Sequence, residues 1–184
     1  MKTYNGNISV ESIFSDDELH RFVLRRKYST TRTKLSKRKL VFIMINPTYS
    51  DELLFDKTNR LASNIGVRDE CNEVVILNLF SLITKDTQML EINLKNAYLV
   101  ENDQYIFEEV KNAYRLIIAW GIKNQYQNRI NAVKQIIRNA GITDDRVYSV
   151  KFIDKRKKVY NPAHLSMYIT DNPPNYEMQL YRLD

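Results

Sequence analysis

Leu40-Val41-Phe42-Ile43-Met44-Ile45 is an unbroken apolar run that stops at Asn46-Pro47-Thr48. A run without a period of two marks a strand covered on both faces. Pro47 ends it, because proline has no N–H for the ladder and pushes the residue before it away from helix. Such a strand belongs in the middle of a sheet, and the rest of the chain is read outward from it.

On its amino side, residues 21–29 are rich in Val, Leu, Phe and Tyr. Polar residues 30–37, with neither Gly nor Pro, lead on to the run. This predicts two strands joined by a mobile basic loop. Downstream, Thr58 to Ile65 predicts a short helix with Gly66 as its C-terminal cap, and Glu73 to Leu79 a second buried strand. Asn102 to Ala113 predicts a helix with Ile106, Val110 and Ala113 on one face. Arg115 to Trp120 reads as a third buried strand, ended by Gly121. Gln125 to Ala140 predicts a long helix with Ile130, Val133, Ile136 and Ile137 inside and Gly141 as its stop; Arg129 reads as solvated. A strand over Arg146 to Phe152 and a basic turn over Asp154 to Lys158 follow, and Asn161-Pro162 is expected to open a last short helix, since proline suits a first turn.

Strands alternating with helices predict an α/β fold, a three-layer αβα sandwich around a mostly parallel sheet. In such folds chemistry gathers at the loops after the carboxyl ends of the strands. The 184 residues suit one domain, 1–184, with residues 1–20 expected as a loosely attached N-terminal extension.

Several function classes are disfavoured. A lone cysteine, Cys71, permits no disulfide within the chain and points to a reducing cytoplasm. It lies in a polar turn and is a poor nucleophile. His20 and His164, the only histidines, are far apart in sequence, so neither a metal nor a cofactor is expected. Four glycines build no phosphate loop, and neither Gly-x-Gly-x-x-Gly nor Gly-x-Ser-x-Gly occurs. Met1 to Asp17 is polar, unlike a signal peptide, and no apolar run nears the ~20 residues that span a membrane.

The charge is local. Of the 28 bases, nine lie between Arg21 and Ser50 and none of the 22 acids does, so the rest of the chain is net negative despite the overall +6. A basic segment on a slightly acidic body reads as a docking surface for an anion, with nucleic acid, DNA first, as the expected partner. Arg25, Arg26, Lys37 and Arg38, with Lys155, Arg156, Lys157 and Lys158 of the later turn, are the candidate phosphate contacts. The other reading is a solvated strand pair whose lysines protect an edge.

Two Asn-Pro elements stand at predicted strand ends or helix starts, Asn46-Pro47 and Asn161-Pro162. An amide beside a rigid proline holds a water or a base edge in fixed geometry, since it both donates and accepts; turn and capping chemistry is the plainer reading.

The series Phe42-Ile43-Met44-Ile45-Asn46-Pro47-Thr48, Asp56-x-Thr58-x-Arg60, Asn78-Leu79-Phe80, Thr84-x-Asp86, Asn102-Asp103, Ala119-Trp120-Gly121 and Asn161-Pro162 resembles a prokaryotic and phage family known only as a domain of unknown function. Its members read F-x-M-L-N-P-S, D-x-T-x-R, N-L-F, A-T-D, N-D, A-W-G and a late H-P. The resemblance runs from about Arg21 to Ile169, with Asn161 in the place of the family's histidine.

A shorter resemblance bears on chemistry. Ile45-Asn46-Pro47 and Asn161-Pro162-Ala163-His164-Leu165-Ser166 are similar to the two motifs, G-I-N-P-G and N-P-S-G-L-S, of the mismatch-specific branch of the uracil-DNA glycosylase superfamily. Leu116 to Gly121 takes the place of the strand between them. The resemblance implies a uracil-DNA-glycosylase-like fold, with Asn46 positioning the attacking water and residues 161–166, including Asn161, His164 and Ser166, entering DNA. Phe80 or Tyr49 would stack on the flipped base and Asn78 would read its edge. Pro47, Thr48, Asp56, Thr58, Arg60, Trp120 and Gly121 complete the expected lining, although Trp120 also reads as core. The expectation is a protein that acts on nucleic acid, excising a modified or mismatched base without metal. A non-catalytic DNA- or RNA-binding module, or a nucleotide or small-molecule site on the same fold, are the alternatives.

Overall fold

Leu40 to Met44 form the buried half of strand β3 (Ser36–Met44). The computed structural model describes residues 1–49, 53–85, 89–90, 96–122, 124–154, 156–168 and 176–184. In it β3 is flanked on both edges. Strand β4 (Cys71–Asn78) pairs parallel to it from Leu40↔Val74 to Met44↔Asn78, and β5 (Arg115–Ile118) pairs parallel on the other side from Leu40↔Arg115 to Ile43↔Ile118. Strand β6 (Val147–Ile153) extends the parallel set beyond β5.

Antiparallel strands flank this centre. Strand β2 (Arg21–Thr30) lies against β4, and β1 (Gly6–Phe14) against β2. At the other edge, β6 pairs with the short β7 (Val159–Tyr160) and with β8 (Glu177–Leu180). The order is β1-β2-β4-β3-β5-β6-β7, with β8 beside β6.

The sheet is therefore mixed rather than mostly parallel. An apolar run reports that both faces are covered, not which way its neighbours run. The expected pair, β2 and β3, is also split, because β4 inserts between them. The short connection after β2 must reverse the chain, so β2 meets β4 antiparallel. Residues 6–14, expected within a loose extension, are a fully paired edge strand.

Helices cover both faces, which is why β3 is apolar at every buried position. Helix α1 (Lys57–Arg68) sets Leu61, Ala62 and Ile65 against Leu40, Phe42, Met44, Val74 and Ile76. On the other face α2 (Val100–Lys111) and α3 (Gln127–Asn139) set Ile106, Val110, Ile130, Val133 and Ile137 against Val41, Ile43, Val75 and Leu77. Among the described residues no helix is long and apolar enough to cross a membrane.

Two local expectations change. Gly66 does not cap α1, which runs on to Arg68 and is capped by Asp69. It is instead the point where the helix crosses β4: a Cβ there would lie 2.2 Å from Val74 Cγ2. The Asn161–Pro162 bond is cis and opens no helix; a single 3-10 turn begins only at Leu165. Gly141, with φ +77°, does stand just past the end of α3.

His20 ties the β1–β2 turn to the loop after β4, its buried ring 2.9 Å from Ser81 Oγ through Nδ1. Burial holds its pKa below the ordinary 6.5, partly offset by Asp17 and Glu101.

Two outcomes are expected. Gly66→Ala should destabilise by about 1–3 kcal/mol despite the helix propensity gained, read as a lower midpoint in urea, with Val74→Ala in the same chain recovering part of the loss. For His20, the unfolded ring takes a proton at pH values where the folded ring does not. Its contribution is fully present above pH 6.5 and is lost as pH falls from there through the lower folded value. Unfolding titrations from pH 7.5 to 5.5 should show a steeper loss in the wild type than in His20→Asn, which keeps a partner for Ser81.

Candidate functional site

The connection after β3 leaves to the α1 face and the connections after β4 and β5 leave to the opposite face. Open α/β sheets hold their ligands at such a divergence, beyond the carboxyl ends of the strands. A cleft of about 330 Å³ lies there, lined by residues 44–48 from the exit of β3, Asn78 from the end of β4, and Asp56, Thr58 and Asn59 from the head of α1. Arg21, Ile76, Thr84, Lys85, His164 and Ser166 complete it.

Three local devices fix this lining. Asp56 caps α1: its Oδ1 accepts the Asn59 N–H at 2.6 Å, while Oδ2 accepts the Thr48 hydroxyl at 2.7 Å. One carboxylate thus ties the turn after β3 to the helix. Asn46 donates both amide hydrogens from Nδ2, to the carbonyls of Pro47 (3.0 Å) and Thr84 (2.7 Å). What remains of its amide is Oδ1, an acceptor held in fixed orientation. His164 Nδ1 accepts the Ser166 backbone N–H at 3.2 Å, with the Ser166 hydroxyl at 2.7 Å. An acceptor at Nδ1 places the proton of the neutral ring on Nε2, so that nitrogen is a donor.

The loop after β4 is braced from behind. Asn102, fully buried in the first turn of α2, donates Nδ2 to the carbonyl of Asn78 at 3.1 Å. Arg129 donates Nε to the carbonyl of Leu79 at 2.7 Å, pairs with Asp103, and lies 3.8 Å from the Tyr98 ring centroid. Arg129 is thus buried, not solvated as its sequence suggests, because its planar fork satisfies a carbonyl, a carboxylate and a ring face together.

The cleft brings together Asn46, Pro47, Thr48, Asp56, Thr58, Asn78, His164 and Ser166. Gly121, at φ +75°, packs against His164. Tyr49 lies just outside, its ring 5.5 Å from the Lys85 ammonium, and Arg60 is exposed on α1 without lining the cleft. Three expected residues point elsewhere. Asn161 accepts the Ser149 hydroxyl at 2.5 Å and donates to Gln179 Oε1 at 3.2 Å, which turns its side chain towards β6 and β8. Phe80 is buried edge-on to Tyr126, with centroids 4.9 Å apart, and Trp120 is buried against Tyr181. Neither ring is available to stack on a base. Once a chain leaves its strand, alternation no longer predicts which way a side chain points.

Arg21 is the main lining residue missing from the sequence reading. It is 3% exposed at the start of β2, and only the antiparallel placement of β2 beside β4 brings that end to the cleft. Lys85 was missed too, and carries no signal beyond its place in Thr84-x-Asp86.

The basic segment is redistributed. Because β3 runs towards the cleft, its first residues and the loop before it lie at the opposite, amino end of the sheet. There Lys27, Lys37 and Arg38 line an open groove together with Glu73, Glu108 and Glu109. Arg25 is surrounded by Glu11, Glu73 and Glu109, and Lys39 also pairs with Glu109 at 2.9 Å. Arg26 is buried 4.1 Å from the Phe55 ring centroid. Arg25 and Arg26 are therefore unsuited to phosphate, and Lys37 and Arg38 face away from the cleft. Arg156, Lys157 and Lys158 are exposed beyond the carboxyl end of β6, at the cleft's end of the sheet. Lys155 and Asp86 lie outside the described residues.

Cys71 is fully buried, and burial pushes its thiol up to about 11, which keeps it protonated. Among the described residues no three His, Cys, Asp or Glu side chains gather as a metal site would require.

No curated protein and no solved structure matches the chain. One family, DUF1643, described as proteins of unknown function, matches residues 21–164. That span takes in every cleft-lining residue except Ser166, and it lends nothing to the shorter glycosylase resemblance. Matched from the first residue of β2 to His164 itself, the chain belongs to the DUF1643 family.

Proposed function

We propose that the protein acts on nucleic acid by taking one nucleotide into the cleft and hydrolysing the bond between its base and its sugar, as a metal-independent glycosylase does. The observation that carries this reading is Asn46. Its amide is clamped by two backbone carbonyls, so Oδ1 can hold a water in one orientation without reorganising during reaction. Base–sugar cleavage passes through a cationic sugar, for which a positioned water matters more than a strong base. His164 Nε2–H is a donor to the charge that develops on the departing base, and Asn78 offers an amide to its edge. A cleft of this size accepts a base with its sugar but not a duplex, so the nucleotide must leave its stack.

The α/β architecture, with its site at the carboxyl ends of parallel strands, supports the uracil-DNA-glycosylase likeness. The reading now rests on Asn46 with His164, not on the two Asn-Pro amides. Exposed cations at the same end of the sheet, Lys57, Lys85 and Arg156 to Lys158, replace the basic segment as phosphate contacts.

A second reading, a free nucleotide or related small anion in the same cleft, is favoured by Arg21 and Lys85 in the lining and by the absence of any Phe, Tyr or Trp among the described lining residues.

The test is a panel of single strands and duplexes carrying uracil, other deaminated or methylated bases and mismatches, scored for abasic sites by alkaline strand scission. One substrate should yield product, and Asn46→Ala should lower the rate about 10²- to 10³-fold with an unchanged far-UV spectrum. His164→Ala should also slow it. Failure of every substrate to give abasic product would sink the excision reading.

A further inference from the structure

Beside the cleft lies a second, more open groove of about 500 Å³, and the two share a wall made by Thr48, Asp56, Thr58 and Lys85. The remainder of the groove is Tyr49, Leu54, Phe55 and Lys57. Resting on the proposed function, we infer that this groove is a stacking subsite for the nucleotide next to the one in the cleft, so that the substrate is an unpaired stretch of polynucleotide and not a free nucleotide.

Exposure and ring environment carry the argument. Tyr49 is 65% exposed, Leu54 64% and Phe55 42%, a cluster of large apolar side chains held in water at the mouth of a polar cleft. Leaving such surface wet is unfavourable unless something covers it. Both rings are attended by a cation. The Arg26 guanidinium lies 4.1 Å from the Phe55 centroid, and the Lys85 ammonium 5.5 Å from that of Tyr49. Arg26 is itself buried, so it fixes Phe55 from the protein side and leaves the ring's exposed part to the groove.

Chemistry selects the occupant. Aromatic faces interleaved with cations are how proteins hold single strands without reading sequence, since every base has a π-face and every linkage a negative charge. Lys57 and Lys85 supply the positive charge in the groove wall. The one carboxylate among the described lining residues, Asp56, is turned into the α1 cap and the Thr48 hydroxyl. Continuity with the cleft sets the occupant's place: a strand with one nucleotide in the cleft runs its neighbour over the shared wall.

The experiment measures binding of a fluorescein-labelled, mixed-sequence 12-nucleotide single strand of DNA by anisotropy at low salt. Tyr49→Ala and Leu54→Ser are expected to weaken it, by about tenfold for Tyr49, and Tyr49→Trp to retain it. Thymidine monophosphate, followed by saturation-transfer NMR, should show a signal that Asn46→Ala reduces and Tyr49→Ala leaves unchanged. Equal affinity of wild type and Tyr49→Ala for the 12-mer overturns the subsite while the cleft reading stands. A 12-mer that does not bind the wild type also overturns it: retained monophosphate binding then leaves the free-nucleotide reading, and loss of both removes the cleft reading as well. If Tyr49→Ala instead converts a dimer into a monomer in sedimentation velocity, the groove belongs to a second copy of the chain and the inference fails.

Discussion

Strand β3 is the constraint on which the rest of the molecule depends. It is paired on both edges and covered on both faces, so every polar group of its backbone must be satisfied by β4 and β5, and its side chains must be apolar from Leu40 to Met44. Because α1 leaves to one face and α2 and α3 occupy the other, the chain diverges at the carboxyl ends of β3, β4 and β5. The cleft is the space left by that divergence. The first residues allowed to be polar, Asn46 and Thr48, are the ones that line it.

The same divergence explains how much of the local hydrogen bonding serves to hold loops in place. Asp56 binds the β3 exit to α1, Asn46 binds it to the loop after β4, and Asn102 with Arg129 bind that loop to α2 and α3. Each is a side chain satisfying backbone that has left a ladder. A cleft held from three directions keeps Asn46 Oδ1 in one orientation without help from a ligand. The short motifs of the sequence, Asn-Pro, Asp-x-Thr-x-Arg, Asn-Leu-Phe and Asn-Asp, are largely these braces.

Charge counted along the chain does not report where cations gather on the fold. Two of the nine bases in residues 21–50, Arg21 and Arg26, are buried, and two more, Arg25 and Lys39, are matched by carboxylates from other parts of the chain. Those of the loop between β2 and β3 sit at the far end of the sheet. Cations that are scattered in sequence, Lys57, Lys85 and Arg156 to Lys158, share the end that holds the cleft. A run of charges along the chain follows one strand from end to end, whereas a binding surface cuts across many strands at one end.

Read alone, the sequence determined the central strands, helices α1, α2 and α3 and the place of Asn46 at the end of β3, because apolar periodicity, proline and glycine act over a few residues. It misjudged what depends on the neighbour across the sheet. The insertion of β4 between β2 and β3, the antiparallel pairing of β2 with β4 and the arrival of Arg21 at the cleft follow from pairing between distant segments, which leaves no local periodicity; the edge strand in residues 6–14 is a hairpin partner of β2 whose largely exposed residues carry no apolar signal. Gly66 looked like a cap because glycine is common there, but contact with Val74 requires it. Asn161, Phe80 and Trp120 carried the right residue types, and only the folded chain decided that they face β8 or the core. Local patterns specify elements; which side chains meet is decided by which elements come to lie side by side.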